Sequence, residues 1–130
     1  MKKILLIEDD PFLKDIYKTR LEKEGFLVET AENGQDALKK ILEDNFDLIL
    51  LDLILPELDG FEFLRKLKKE KKLKKEKKDK DYNIFVLSNL SSQQDIELSK
   101  KLGVKKYLIK AHFTPTEVIE EIKNALKTHA

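Results

Sequence analysis

Leu48-Ile49-Leu50-Leu51-Asp52-Leu53-Ile54-Leu55-Pro56-Glu57-Leu58-Asp59-Gly60 is the stretch that decides the fold. Its first four residues form a continuous apolar run closed by a charge. A run of that length suits a strand buried on both faces, as in a parallel sheet covered by helices. The residues after Asp52 read as a loop. Pro56 fixes φ there, Gly60 offers a residue able to take φ > 0 where the chain turns into a helix, and Asp59 is placed to cap that helix.

Outward from this stretch the pattern repeats. Apolar runs recur at Ile4–Ile7, Phe26–Val28, Ile84–Leu87 and Tyr107–Ile109. Between them lie segments of helical period. Phe12, Leu13, Ile16, Tyr17 and Leu21 make one apolar stripe; Ala37, Leu38, Ile41 and Leu42 make another. The alternation βαβαβαβαβα predicts five parallel strands with helices on both faces. Helix punctuation agrees. Asp10-Pro11 is an N-cap followed by proline at the first helical position, and Gly25 closes that helix. Asn33-Gly34 marks a turn before the second helix. Ser91 with Gln94 reads as a capping box for the fourth, which Gly103 ends. Thr114-Pro115-Thr116-Glu117 opens the fifth in the same way.

The 130 residues amount to one ordinary domain. No cysteine is present, which excludes disulfides and thiolate metal sites. Ile4–Ile7 is too short for a signal peptide, and no apolar stretch approaches the ~20 residues of a membrane span. The expectation is a soluble, cytoplasmic domain. The net charge of +1 hides an uneven distribution. Residues 65–80 carry eleven Lys and Arg against three acids, a net of +8, leaving −7 for the rest. Within them Lys66–Lys71 is repeated directly as Lys72–Lys77. That composition favours helix, so the reading is a solvated extension of the third helix over about 66–80. With no interleaved aromatics and one Leu per repeat, nucleic-acid or membrane contact by this segment is not expected.

In an open parallel sheet, ligands bind beyond the carboxyl ends of the strands. The first strand runs into Glu8-Asp9-Asp10, the third into Asp52, the fourth into Ser88 and the fifth into Lys110. Each residue alone has an ordinary explanation: a helix cap, a strand-end turn, a surface lysine. Two acidic strand ends, a hydroxyl and an ammonium at one sheet edge together point to a shared site. Clustered carboxylates need a cation, and hard oxygen ligands select Mg²⁺. An Asp carboxylate can attack phosphorus to form an acyl phosphate. A lysine ammonium can neutralise charge on the transferred group, and a serine hydroxyl can donate to it.

These pieces resemble the receiver domain of two-component response regulators over essentially the whole chain. They are Ile4-Leu5-Leu6-Ile7-Glu8-Asp9-Asp10, Ala31-Glu32-Asn33-Gly34, Asp52 through Pro56 to Asp59-Gly60, Val86-Leu87-Ser88 and Tyr107-Leu108-Ile109-Lys110. The resemblance implies a single CheY-like domain over 1–130, with sheet order 2-1-3-4-5 as in flavodoxin. It implies Asp52 as phosphoacceptor, and Asp9 and Asp52 as direct Mg²⁺ ligands. Glu8 would act mainly through a bound water, and the Ile54 backbone carbonyl would complete the protein's share. Lys110 would pair with the phosphoryl group and Ser88 would move to bond it. Tyr107 would turn inward, changing the surface of helix four, strand five and helix five. The donor would be a phosphohistidine on a sensor histidine kinase or phosphotransfer protein. The domain would be no enzyme beyond its own phosphorylation and slow dephosphorylation.

Four departures stand out. Lys110 is followed by Ala111-His112-Phe113 where relatives usually have Lys-Pro, which predicts a trans bond or a rearranged loop, with His112 at the surface. Asn89 follows Ser88 where a small residue is common. Ile54 and Leu90, two residues beyond Asp52 and Ser88, are apolar and should fail to orient attacking water, predicting a long-lived phosphorylated state. The Asp52–Ser88 spacing is longer than usual by about one hexapeptide, which the tandem repeat supplies. Rival readings are an inert binding module on the same fold, an Asp-based phosphatase, or an FMN protein. The second acid that Asp-based phosphatases use two residues after the nucleophile is missing here, where Ile54 stands, and the first loop is acidic where an FMN phosphate needs hydroxyls and glycines. Dimerisation through helix four, strand five and helix five is open; monomer or weak dimer is the expectation. Whether the domain stands alone or is part of a larger regulator is also open.

Overall fold

The structure, a computed structural model, describes residues 1–56, 58–73 and 82–127. Five parallel strands, β1 (Lys3–Ile7), β2 (Leu27–Ala31), β3 (Leu48–Leu51), β4 (Ile84–Ser88) and β5 (Val104–Ile109), form one sheet in the order β2-β1-β3-β4-β5. They alternate with α1 (Pro11–Lys23), α2 (Gly34–Glu43), α3 (Gly60–Leu73), α4 (Gln93–Lys101) and α5 (Pro115–Leu126). This is the architecture expected from the sequence pattern, in the strand order that the family resemblance implies. The part of the basic repeat after Leu73, up to residue 81, lies outside the described residues.

Each face of the sheet buries its own core. Leu5, Ile7, Ile49, Leu51 and Val86 pack with Phe63, Leu64 and Leu67 of α3 and Ala37 and Ile41 of α2. Ile4, Leu6, Leu50 and Phe85 pack with Tyr17 and Leu21 of α1 and Val118, Ile119 and Ile122 of α5. Alternate residues of one strand thus feed opposite cores, which is why the central strands read as unbroken apolar runs.

The edge strands depart from that reading. β2 and β5 begin or end several residues outside their apolar runs and are half exposed. Glu29, Thr30, Lys105 and Lys106 belong to strands but break the apolar signal, because an edge strand turns part of its surface to water. Phe12, read as part of the α1 stripe, is instead 72% exposed. The α4 cap is Ser92, one residue later than read, and its Oγ accepts from the Asp95 N–H at 3.1 Å. The α1 and α5 caps are as expected: Asp10 accepts from Phe12 and Leu13, and Thr114 and Glu117 form a reciprocal box. Asn33 is the N-cap of α2, and Gly34 is already helical.

Gly60 corrects another expectation. Positive φ occurs only at Gly25 and Gly103 among the described glycines. At Gly60 the requirement is space: a Cβ there would stand 2.5 Å from Leu53 Cα and 2.9 Å from Leu53 O. The Gly60 N–H also donates to that carbonyl at 2.9 Å, so the loop after β3 folds tightly back onto α3.

Candidate functional site

The strand order reverses between β1 and β3, and their carboxyl ends flank the crevice where ligands bind in such sheets. The pairing that builds β1 also positions its acids. The Glu8 N–H donates to Ala31 O at 3.0 Å, and the Asp52 N–H to Ile7 O at 3.1 Å, so both residues are held as the sheet ends. Glu8 and Asp52 are buried, at 3% and 7% exposure, while Asp9 between them is exposed. One carboxylate oxygen from each of Glu8, Asp9 and Asp52 lies within 4.8 Å of the others. Asp10 is committed elsewhere, to the α1 cap.

Lys110 reaches this cluster from the end of β5. Its Nζ donates to Glu8 Oε1 at 2.8 Å and to Asp52 Oδ2 at 2.7 Å. The other Asp52 oxygen, Oδ1, accepts from the Ile54 N–H at 3.0 Å. Burial works against the Lys110 charge, but its bonds to Asp52 and Glu8 outweigh this and hold its pKa above the usual lysine value. Glu8 moves the other way for an acid. Burial pushes its pKa up, the Lys110 bond opposes this, and the neighbouring Asp52 charge adds to the rise. Two buried carboxylates around one ammonium leave a local excess of negative charge.

Ser88, fully buried, ends β4. Its Oγ accepts from the Leu90 N–H at 3.3 Å, and the Tyr107 hydroxyl donates to the Leu90 carbonyl at 2.6 Å. The backbone of Leu90 therefore links the two residues singled out as a coupled pair. Sequence reasoning missed that joint, since a backbone group carries no side-chain signal. Tyr107 is half-buried, and burial raises its pKa, with Asp95 adding to the rise.

The remaining expected residues also have definite places. Lys110–His112 forms a single 3₁₀ turn, no cis peptide bond occurs among the described residues, and His112 is exposed. Asn89 is exposed too. The Ile54 side chain is 55% exposed beside the crevice, whereas Leu90 packs against the core. Asp59 caps α3, accepting from the Glu62 N–H at 3.0 Å.

A family model described as the response regulator receiver domain matches residues 4–123. The chain belongs to the receiver domains of response regulators. The CpxR homologue of Haemophilus influenzae, a transcriptional regulatory protein, is 37% identical over 132 aligned positions that cover 100% of this chain and 52% of that protein. The transcriptional regulatory protein ResD of Bacillus subtilis is 32% identical, over 96% of this chain and 48% of its own length. The receiver thus spans about half the length of these curated relatives. Among solved structures, a CheY-like receiver from Methanospirillum hungatei superposes with a TM-score of 0.81 at 31% identity, covering 95% of this chain and 92% of that one. TrrA of Thermotoga maritima, solved in complex with Mg(2+)-BeF, gives 0.79 at 33% identity, over 97% and 100%. Among the described residues of the receiver, no helix is long and apolar enough to cross a membrane.

Proposed function

We propose that Asp52 accepts a phosphoryl group from a phosphohistidine on a sensor histidine kinase or phosphotransfer protein. The observation that carries this is the crevice itself: a buried Asp52 beside Glu8 and Asp9, with the Lys110 ammonium already on its carboxylate. An Asp52 oxygen attacks phosphorus, the phosphorus–nitrogen bond breaks, and the imidazole leaves. The donor set is all hard oxygen, with three carboxylates close enough to share one ion, and so fits Mg²⁺. Asp9 and Asp52 would hold the ion directly, Glu8 through water, and the Ile54 carbonyl would complete the set. A bound Mg²⁺ supplies positive charge against the phosphoryl oxygens.

The chain's own groups do the rest. Lys110 is placed to exchange a carboxylate oxygen for a phosphoryl oxygen. Ser88 Oγ accepts in its bond to Leu90, and its own proton can turn from the neighbouring Tyr107 hydroxyl to donate to the phosphoryl group. A shift of Ser88 then reaches Tyr107 through the Leu90 backbone, and with it the surface of α4, β5 and α5. The reading is a cytoplasmic signalling phosphoacceptor over 1–130, whose basic repeat begins within α3 and whose only catalysis is on itself. The similar receiver TrrA, solved in complex with Mg(2+)-BeF, supports the choice of ion.

Intact mass after incubation with acetyl phosphate tests it. One phosphoryl adduct is expected with Mg²⁺, and none without Mg²⁺ or in Asp52→Asn. An adduct that persists in Asp52→Asn would sink the assignment. The apolar Ile54 and Leu90 predict slow decay of the adduct; decay faster than in a receiver with polar residues at both positions would contradict that part.

A further inference from the structure

At the opposite edge of the sheet, near the amino ends of the strands, α3 and the junction of α4 with β5 line a cleft of about 210 Å³. Leu64, Leu67, Ile84 and Leu102 form its apolar walls, and Lys68 and Lys105 stand in its lining. Lys68 Nζ donates to the Lys101 carbonyl at 3.2 Å, which ties α3 to the end of α4 beside the cleft. That contact brings two basic stretches together, with Lys66 and Lys69 exposed on α3 and Lys100 and Lys101 exposed on α4. Lysines in the last turn of α4 suit the helix dipole. The dipole accounts neither for the mid-helix lysines of α3 nor for the apolar cleft between the helices.

Size and chemistry select the occupant. The volume lies below the ~300–1,000 Å³ of ordinary small-molecule sites and suits one large apolar side chain. A nucleic acid would use the lysines but leave the apolar walls unfilled, and Tyr82, the aromatic ring in the described lining, is only partly exposed where stacking needs open ring faces. A membrane surface needs apolar side chains that project into it. The large exposed apolar residues among those described are Met1, Phe12, Leu27, Leu42 and Ile54, none of which lines the cleft. We propose that this cleft docks an acidic protein segment. One Leu- or Phe-sized side chain fills the space between α3 and the α4–β5 junction, and the segment's carboxylates face the surrounding lysines. The surface lies at the sheet edge away from Asp52, so it can be occupied while the phosphorylation crevice is free.

The test uses the full chain and a fluorescein-labelled peptide of alternating Glu and Asp with one central Phe, read by anisotropy and by amide shifts in NMR. Binding is expected to shift the amides of Leu102, Gly103 and Lys105. Replacing Phe with Ala should weaken it by about tenfold, the scale of one buried apolar side chain. The double change Lys68→Glu and Lys105→Glu should weaken it further, most at low salt, and Lys68→Gln with Lys105→Gln should do so more mildly if the reversed charges disturb folding. Equal binding of the Phe and Ala peptides would overturn the proposal, as would binding that survives both lysine pairs or no binding at all. Tighter binding of duplex DNA or anionic vesicles through the same lysines would also overturn it.

Discussion

The same constellation occurs at both ends of the sheet with opposite consequences. At the amino end Lys3 stands between Asp44 and Glu29; at the carboxyl end Lys110 stands between Glu8 and Asp52. The side chains of Asp44 and Glu29 are 45% and 40% exposed, those of Glu8 and Asp52 only 4% and 8%. In the exposed set the Lys3 bond dominates and draws the Asp44 pKa down. In the buried set burial dominates and drives the Glu8 pKa up despite an equivalent lysine. A lysine between two acids is therefore an ordinary surface tie where water screens it. Where water is excluded it becomes a cluster with uncompensated negative charge, which a cation could offset.

The largest expected contrast is removal of the two lysines. Lys110→Met leaves two buried carboxylates without their counter-charge and should lower stability in Mg²⁺-free buffer by about 3 kcal/mol, read by urea unfolding. Lys3→Met, at the exposed end, should move the unfolding midpoint little. Equal losses would break the comparison.

A smaller contrast concerns sign. Glu8→Gln should raise the melting temperature at neutral pH without Mg²⁺, and Asp44→Asn should lower it slightly. Because the folded pKa of Glu8 is raised, its ionised form weakens the fold above that pKa. The advantage of Gln should therefore vanish as the pH falls below the unfolded value of ~4.3. For Asp44 the folded pKa is lowered, so its contribution is present above ~3.9 and fades as the pH falls through the folded value. Changes of the same sign in both variants would show that burial does not separate the two ends.

Much of this architecture is legible in the sequence because the determinants are local. The runs Ile4–Ile7 and Leu48–Leu51 must be buried on both faces, and Asp10, Thr114 and Glu117 announce helix starts in the residues that cap them. The acids and Lys110 could be placed at one sheet edge from strand ends alone. What was not legible is tertiary. Lys105 and Lys106 hid the first half of β5, since nothing local says which strand lies at an edge. Gly60 is required by the approach of Leu53, a contact across the loop. The Leu90 backbone between Ser88 and Tyr107 depends on how the loop after β4 lies. The closeness of Lys68 to Lys101 depends on how α3 meets α4.

The central assignment is most directly tested by locating the modified residue. The phosphorylated protein can be trapped by borohydride reduction, which converts an acyl phosphate on Asp to homoserine, and mapped by peptide sequencing in a mass spectrometer. Homoserine at position 52, formed only when Mg²⁺ was present during phosphorylation, is the expected result. Homoserine at Asp9, Asp10 or Asp59 with an unmodified Asp52 would contradict it.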